Sequence, residues 1–131
     1  MKTIAIIRDN KWIDRNLREH GWGNGYVAIS KEHCCFGADY DKIYDLIEVH
    51  GGLTFGRNAK EFLINDFAKE YPFEFLNDTT DIDWSDYWVF GFDTCHCCDD
   101  MINCSKYFVI EETLSLQKQL ESITKETLLH K

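Results

Sequence analysis

The residues best suited to chemistry lie in one short stretch that follows an aromatic strand. The stretch runs from Phe92 to Asp100 and reads FDTCHCCDD, so it contains three carboxylates, one imidazole and three thiols. Side chains of these types bind metal ions, transfer protons or attack electrophiles. This stretch is therefore the first candidate for a functional site.

The acids and the histidine of this stretch are spaced by three residues, as Asp93, His96 and Asp99. If the segment is helical, all three lie on one face. Two carboxylates and an imidazole suit a divalent metal ion such as Zn²⁺ or Mn²⁺ with open coordination positions. They equally suit hydrogen bonds to a sugar or a base without any metal. A third interpretation is purely structural, with Asp93 as a helix cap and His96 bonded locally.

A second polar signal, His50-Gly51-Gly52-Leu53-Thr54, follows an apolar segment. Two glycines let the backbone turn sharply and let a ligand approach the amides, and a histidine can act as an acid or a base near neutral pH. A glycine turn beside a hydrogen-bonded histidine is the alternative. We predict that the two segments meet and form a pocket, with His50, Asp93 and His96 as the catalytic candidates. The predicted ligand-binding residues are His50, Gly51, Gly52, Thr54, Asp93, His96 and Asp99.

The six cysteines do not form paired CxxC motifs. Buried, unreactive thiols are the favoured interpretation, because a free cysteine behaves as a small apolar side chain. A structural zinc site and a cysteine nucleophile paired with His50 or His96 are the alternatives.

The elements that must position these residues alternate between strands and helices. β-branched and aromatic runs predict strands over Thr3–Ile7, Tyr26–Ile29, Ile47–His50 and Tyr87–Phe92. Apolar residues at helical spacing predict helices over Asn58–Tyr71 and Glu111–Leu128, while Lys11–His20 fits a short helix or a loop. The pattern predicts a single domain, residues 1–131, of the α+β class. Its sheet is mostly antiparallel and is covered by two or more helices, including a C-terminal helix.

Charge is unevenly distributed along the 131 residues, whose formal net charge is −9. Residues 38–100 contain fifteen acids and four bases. Such a segment repels phosphate backbones, so we expect no direct binding to nucleic acid. It is either a solvated face or a surface for a basic partner protein. The opening residues do not fit a signal peptide, and no apolar run is long enough to span a bilayer, so we expect a cytoplasmic protein without membrane contact.

Three sequence blocks are similar to those of a family of small proteins from bacteria and their phages. The blocks read GYVAI from Gly25, HGGLT from His50 and GFDxxHxxD from Gly91. The chain departs from the family pattern at Cys34, where a proline is usual, and at the cysteines around His96. The resemblance implies a bacterial host cell and an accessory role against host defences, and it favours His50, Asp93, His96 and Asp99 over the cysteines.

Three hypotheses follow, and they leave open whether the protein is an enzyme. The first is a binding protein for a small polar ligand, in one version a nucleotide-like one. The second is a hydrolase whose divalent metal ion is held by Asp93, His96 and Asp99, with or without His50 as a further ligand. The third is an acidic inhibitor that docks on a basic host protein such as a nuclease.

Overall fold

A five-stranded antiparallel sheet forms the centre of the computed structural model, which describes residues 2–14, 16 and 19–130. Its strands are β1 (Thr3–Asp9), β2 (Gly23–Ser30), β3 (Phe55–Asn58), β4 (Glu74–Phe75) and β5 (Tyr87–Phe92). They lie in the order β3-β5-β2-β1-β4. The helices are α1 (Ala59–Leu63), α2 (Asp66–Glu70), α3 (Lys106–Ser122) and α4 (Lys125–Leu129). The predicted α+β class is confirmed, with helices covering an antiparallel sheet.

Both faces of the sheet are buried, and side chains alternate between them along each strand. On one face, Val27 and Phe90 pack with the α3 residues Leu116 and Leu120. On the other face, residues of β1, β2 and β5 pack with Ala59, Phe62 and Leu63 of α1. Phe90 and Phe92 of β5 are 0% and 1% exposed. Burying one such side chain stabilises the fold by about 1.5–3 kcal/mol, so β5 is a firm support for the residues that follow it.

The long helix α3 begins five residues earlier than the predicted Glu111 and ends at Ser122. Ser105 determines its start, because the side chain of Ser105 accepts a hydrogen bond from the Phe108 amide at 3.3 Å. The chain is therefore helical from Lys106 onward. The helix ends before Ile123, which has extended backbone angles and is 6% exposed in the core. The predicted helix Glu111–Leu128 is thus divided into α3 and α4.

The predicted helix Asn58–Tyr71 is likewise two short helices, α1 and α2. Asn58 caps the first, because its side chain accepts a hydrogen bond from the Glu61 amide at 3.2 Å. Asn65 accepts one from the Ala68 amide at 2.8 Å and so caps a new helix. Phe67, one of the apolar residues within the predicted helix, is 44% exposed in α2.

The predicted strand Ile47–His50 is irregular, because a side chain takes the place of a neighbouring strand. Gln119 of α3 accepts a hydrogen bond from the Glu48 amide at 2.7 Å and donates one to the Glu48 carbonyl at 2.8 Å.

The segment Lys11–His20, for which the sequence fits a short helix or a loop, contains three residues outside the described ones: Arg15, Leu17 and Arg18. The described part of that segment contains turns. Within the described ranges, no helix is both long enough and apolar enough to cross a membrane.

Candidate functional site

Strand pairing brings the two polar segments together. β3 runs antiparallel to the end of β5, with Phe55 opposite Gly91. The pairing continues one residue further, because the Thr54 amide donates to the Gly91 carbonyl at 3.0 Å. The chain that enters β3 therefore passes the chain that leaves β5. The predicted meeting of the His50–Thr54 and Asp93–Asp99 segments is a consequence of this register.

The two glycines make the bend that the sequence predicts. Gly51 and Gly52 have φ values of +70° and +78°, which residues other than glycine rarely adopt. A Cβ atom on Gly51 would overlap the His96 ring, and one on Gly52 would lie 2.5 Å from the Tyr44 hydroxyl oxygen. Gly51 lets the backbone pass close to the His96 ring, and Gly52 lets it pass close to the Tyr44 ring. The structural role of the diglycine is close packing at the candidate site.

Asp99 is the centre of the site, because its two carboxylate oxygens contact two histidines. Oδ1 lies 2.8 Å from His50 Nε2, and Oδ2 lies 3.2 Å from His96 Nδ1. Oδ2 also accepts a hydrogen bond from the His96 backbone amide at 3.0 Å. The Asp99 side chain is 7% exposed, whereas those of His50 and His96 are 26% and 35% exposed. A buried carboxylate thus holds two rings that solvent can reach.

The hydrogen bonds determine the charge state of Asp99. Burial by itself would raise the pKa of the Asp99 carboxyl. The hydrogen bonds from the His96 amide and the His50 ring, together with the coulombic attraction of His50, outweigh burial and lower that pKa. Asp99 is therefore a carboxylate at neutral pH, able to hold either two imidazole N–H groups or a cation.

The backbone reaches this arrangement without the helix that would have aligned Asp93, His96 and Asp99. The segment forms turns, in which the Asp99 amide donates to the His96 carbonyl at 3.0 Å. Asp93 accepts from the Cys95 amide at 3.0 Å and from the Thr54 hydroxyl at 3.1 Å. Its Oδ1 lies 3.7 Å from His96 Nε2. The His96 ring therefore lies between two carboxylates, one at each ring nitrogen.

Two residues of α3 support His50, and sequence reasoning missed both as site residues. Glu112 accepts a hydrogen bond from the His50 amide at 2.8 Å. The Phe108 ring lies edge-on to the His50 ring, with 5.3 Å between ring centroids. From the sequence, Glu112 fits the favourable interaction of acids with the start of a helix. The helix starts earlier than predicted, so Glu112 lies further along it, where it faces His50.

The metal ligands that come together differ from the predicted set. His50, His96 and Asp99 each offer a donor atom within 4.8 Å of the others. The predicted set contains Asp93, with His50 as an additional ligand, whereas Asp93 lies at the far nitrogen of His96 and His50 completes the group. Two imidazoles and a carboxylate are a donor set that suits zinc and other divalent transition metals.

A second group of potential donors, His33, Cys34 and Cys35, has its histidine fully engaged. His33 Nε2 lies 2.7 Å from the Leu120 carbonyl oxygen, to which it donates. His33 Nδ1 accepts from the Cys35 amide at 2.9 Å. A metal ion at either nitrogen would break a buried hydrogen bond, so His33 connects its loop to the end of α3.

A cysteine also borders the site, but its environment opposes nucleophilic chemistry. Cys104 Sγ lies 3.7 Å from His50 Nε2 and 3.6 Å from Asp99 Oδ1. Burial and the neighbouring Asp99 charge raise the pKa of the Cys104 thiol to about 11. Cys104 is also only 2% exposed. A nucleophilic cysteine requires the opposite, a lowered pKa and access for the substrate.

Two cavities flank the site. One, of about 390 Å³, runs along β3 and is lined by Asp39, Tyr40, Asp41, Thr54, Phe55, Gly56 and Arg57. The other, of about 480 Å³, lies beyond Asp99 and is lined by Glu19, Cys98, Asp99, Asp100, Met101 and Ile102. The predicted polar segments contact each other directly, and open space lies on either side of them.

Comparison of the chain with family models, with curated proteins and with solved structures yields no match.

Proposed function

We propose that His50, His96 and Asp99 hold a divalent transition-metal ion, Zn²⁺ or Mn²⁺, which serves the hydrolysis of a small polar substrate. One observation carries the proposal, the contact of both Asp99 oxygens with His50 Nε2 at 2.8 Å and His96 Nδ1 at 3.2 Å. In catalytic zinc sites three protein ligands of these types leave a position for water. A metal ion lowers the pKa of that water and so supplies a nucleophile at neutral pH.

Burial and charge support this proposal. The anionic Asp99 is almost fully buried, and the two imidazoles at its oxygens remain partly accessible. The protons that now join the rings to the carboxylate would be displaced by the ion, so binding is expected to weaken as pH falls. Glu112 and Phe108 hold His50 in position, as residues around a metal ligand commonly do.

Asp93 is the candidate residue that orients His96. Its side chain is 33% exposed, its Oδ1 lies 3.7 Å from His96 Nε2, and the Thr54 hydroxyl donates to one of its oxygens. Because Asp93 lies at the ring nitrogen that faces away from Asp99, it would position the imidazole of a metal ligand. The catalytic role of Asp93 stays a prediction of the sequence.

Metal titration of untagged protein, stripped of metal with a chelator, tests the proposal. Isothermal titration with Zn²⁺ and with Mn²⁺ is expected to show one ion per chain. His50→Gln, His96→Gln and Asp99→Asn are each expected to weaken binding by at least about tenfold, the lower end of the effect of perturbing a metal site. His130→Gln is the matched control, because His130 is exposed, follows the end of α4 and belongs to neither group of potential metal donors.

Binding that is equally tight in the three site variants and the wild type would contradict the proposed ligands. Wild-type protein that binds neither ion would contradict the metal site altogether. The cluster would then be a hydrogen-bonded support for the bend at Gly51.

A second candidate function is the binding of a nucleotide-like ligand in the cavity along β3. Tyr40 and Phe55 of that cavity offer aromatic rings and Arg57 offers a cation for an anionic group, while Asp39 and Asp41 offer acceptors for hydroxyl or amine groups. Thr54 lines the same cavity and donates to Asp93, so a ligand held there would lie next to the histidine cluster. Because three sequence blocks resemble those of bacterial and phage proteins, we propose that the ligand is bound in a phage-infected bacterial cell.

Titration with a panel of mononucleotides and cyclic dinucleotides tests this candidate. Arg57→Gln is expected to abolish most of the binding, since it removes the cation at the cavity. Lys60→Gln is the control, because Lys60 is an exposed base in α1 and does not line the cavity. Lack of binding across the panel, or an equal loss in both variants, would exclude specific nucleotide recognition by Arg57.

A further inference from the structure

Two neighbouring cysteines form a dithiol on the surface beside the candidate site. The sulfur atoms of Cys97 and Cys98 lie 3.6 Å apart, which is van der Waals contact, and both residues are exposed. Cys98 has a φ of +74°, a left-handed conformation that residues with a side chain adopt infrequently. That conformation places two thiols side by side where reagents can reach them.

The surroundings of the pair suit a soft ligand. Cys98 lines the cavity of about 480 Å³ together with Met101 and Ile102. Met101 is 42% exposed and carries a polarisable thioether, and Ile102 is 90% exposed. Glu19, Asp99 and Asp100 also line this cavity, so its field is negative. A polarisable and partly apolar cavity next to two thiols favours ions that prefer sulfur over oxygen.

The geometry points to a binding site for a soft, thiophilic ion that bonds to two sulfur atoms, made by Cys97 and Cys98 beside the histidine–aspartate cluster. Among the described residues, the groups of three donors within 4.8 Å of one another are His33-Cys34-Cys35 and His50-His96-Asp99. Cys97 and Cys98 belong to neither group. The donors of the inferred site are therefore its two sulfur atoms.

Trivalent arsenic in phenylarsine oxide is a suitable probe, because it forms bonds with two thiols. Each sulfur forms one bond to arsenic and gives up its proton. The arsenic–oxygen bond breaks, and the oxygen leaves with both protons as water. Arsenic stays trivalent, so no oxidant or reductant is needed.

The other adjacent pair, Cys34 and Cys35, provides an internal control. Cys35 is 0% exposed. Cys34 is only partly exposed, and its thiol donates to the Ile123 carbonyl at 3.7 Å. The same dipeptide spacing therefore presents no accessible dithiol at residues 34 and 35. A difference between the two pairs in reactivity would arise from the fold and not from the spacing.

The experiment counts reactive thiols in the native, metal-free protein before and after one equivalent of phenylarsine oxide, with native mass spectrometry of the adduct. We expect the wild type to lose two reactive thiols and to gain one phenylarsenic group. Cys97→Ser and Cys98→Gly are each expected to lose the adduct, and Cys34→Ser is expected to keep it. Cys98→Gly also suits the positive φ, so it removes the thiol without straining the backbone.

An adduct of equal yield in Cys97→Ser or in Cys98→Gly would overturn the inference, as would a wild-type protein that forms none. Loss of the adduct in Cys34→Ser would move the site to the other pair and would overturn it too. Because arsenic is added to metal-free protein and bonds to sulfur, the result does not depend on whether His50, His96 and Asp99 bind a metal ion.

Discussion

Asp99 is the residue on which the candidate site depends most. Its carboxylate accepts hydrogen bonds from two histidine rings and one amide while it is almost fully buried. Hydrogen bonds to a charged group contribute about 1.5–3 kcal/mol each, more than those between neutral groups. The whole cluster is therefore sensitive to the charge of this one side chain.

Asp99→Asn is expected to lower the free energy of unfolding by about 1–3 kcal/mol at pH 7, because an amide nitrogen replaces one accepting oxygen. The folded-state pKa of Asp99 lies below its ordinary value of 3.8. The stabilisation is therefore complete above that value and is lost as pH falls through the lower folded-state pKa. The difference between variant and wild type should shrink below about pH 4, as measured by urea unfolding. A difference that is constant from pH 7 to about pH 3 would contradict this role.

Gly51 is the second residue with a specific prediction. Gly51→Ala introduces a Cβ that overlaps the His96 ring, at a φ of +70°. We expect a loss in unfolding free energy above the about 1–3 kcal/mol of backbone strain alone, because the Cβ also displaces the His96 ring. We also expect an altered histidine ring environment in NMR spectra. Gly37→Ala is the control, since Gly37 has a φ of +81° and a Cβ added there would meet no atom within 4 Å. Equal effects of the two changes would show that backbone strain alone matters.

At the scale of elements, the segment between β3 and β4 protects an unusual buried cation. Arg8 of β1 is 7% exposed, and its guanidinium carbon lies 4.0 Å from the centre of the Phe73 ring and 5.0 Å from that of Phe67. Its Nε atom has no hydrogen-bond partner among the described residues. The aromatic faces stabilise the buried charge, which hydrogen bonds satisfy only in part.

Arg8→Lys is expected to destabilise the fold by about 1–2 kcal/mol, because an ammonium group cannot stack flat on the rings and is more strongly hydrated. Arg8→Met keeps much of the apolar volume without the charge, so it should be less destabilising than Arg8→Lys. Urea unfolding of the three proteins compares them. If the lysine variant is as stable as the wild type, the stacking contributes nothing measurable.

Sequence reasoning succeeds for elements whose own residues determine them. The sequence predicts β5 with its observed bounds, Tyr87–Phe92, because aromatic and β-branched residues fill it. Prediction fails where one residue competes with a longer pattern. Asn65 caps a second helix within the single helix that the sequence predicts. The segment at Glu48, predicted as a strand, is hydrogen-bonded instead to the side chain of Gln119, 71 residues away. The sequence indicates which two polar segments belong to the candidate site and includes His50 among the metal donors, whereas the β3–β5 register that brings the segments together and the role of Glu112 require the tertiary fold.

At the scale of the whole molecule, the acidic loop between β4 and β5 has a structural role that the net charge of −9 does not reveal. Asp78 accepts from the Thr80 hydroxyl and amide at 2.6 and 2.9 Å. Asp83 accepts from the Ser85 hydroxyl and amide in the same way. These hydrogen bonds lower the pKa of both carboxyls, and the bonds from the side-chain hydroxyls have a larger effect than those from the amides. A basic partner protein for this surface stays a prediction. The turns account for the presence of Asp78 and Asp83 without such a partner.

Added salt is expected to raise the unfolding free energy, because it screens repulsion within a protein of this charge. Asp81→Asn should stabilise the protein at low salt and lose that advantage at high salt. Asp81 has a φ of +65°, which asparagine tolerates, so the substitution changes charge with little change in backbone. Thermal unfolding at low and high salt measures the effect. An advantage that persists unchanged at high salt would indicate a cause other than charge.

The order of strands in the sheet also bears on how the chain is made. β2 lies between β1, its neighbour in sequence, and β5, so that Gly25 is paired with Phe92. During synthesis on the ribosome, the β1–β2 hairpin emerges first, and one edge of β2 stays unpaired until residues 87–92 follow. The helix that covers Val27 and Ile29 emerges later still. An unpaired strand edge can pair with other chains, so the nascent protein is most exposed to aggregation in this interval, when holdase chaperones would matter most.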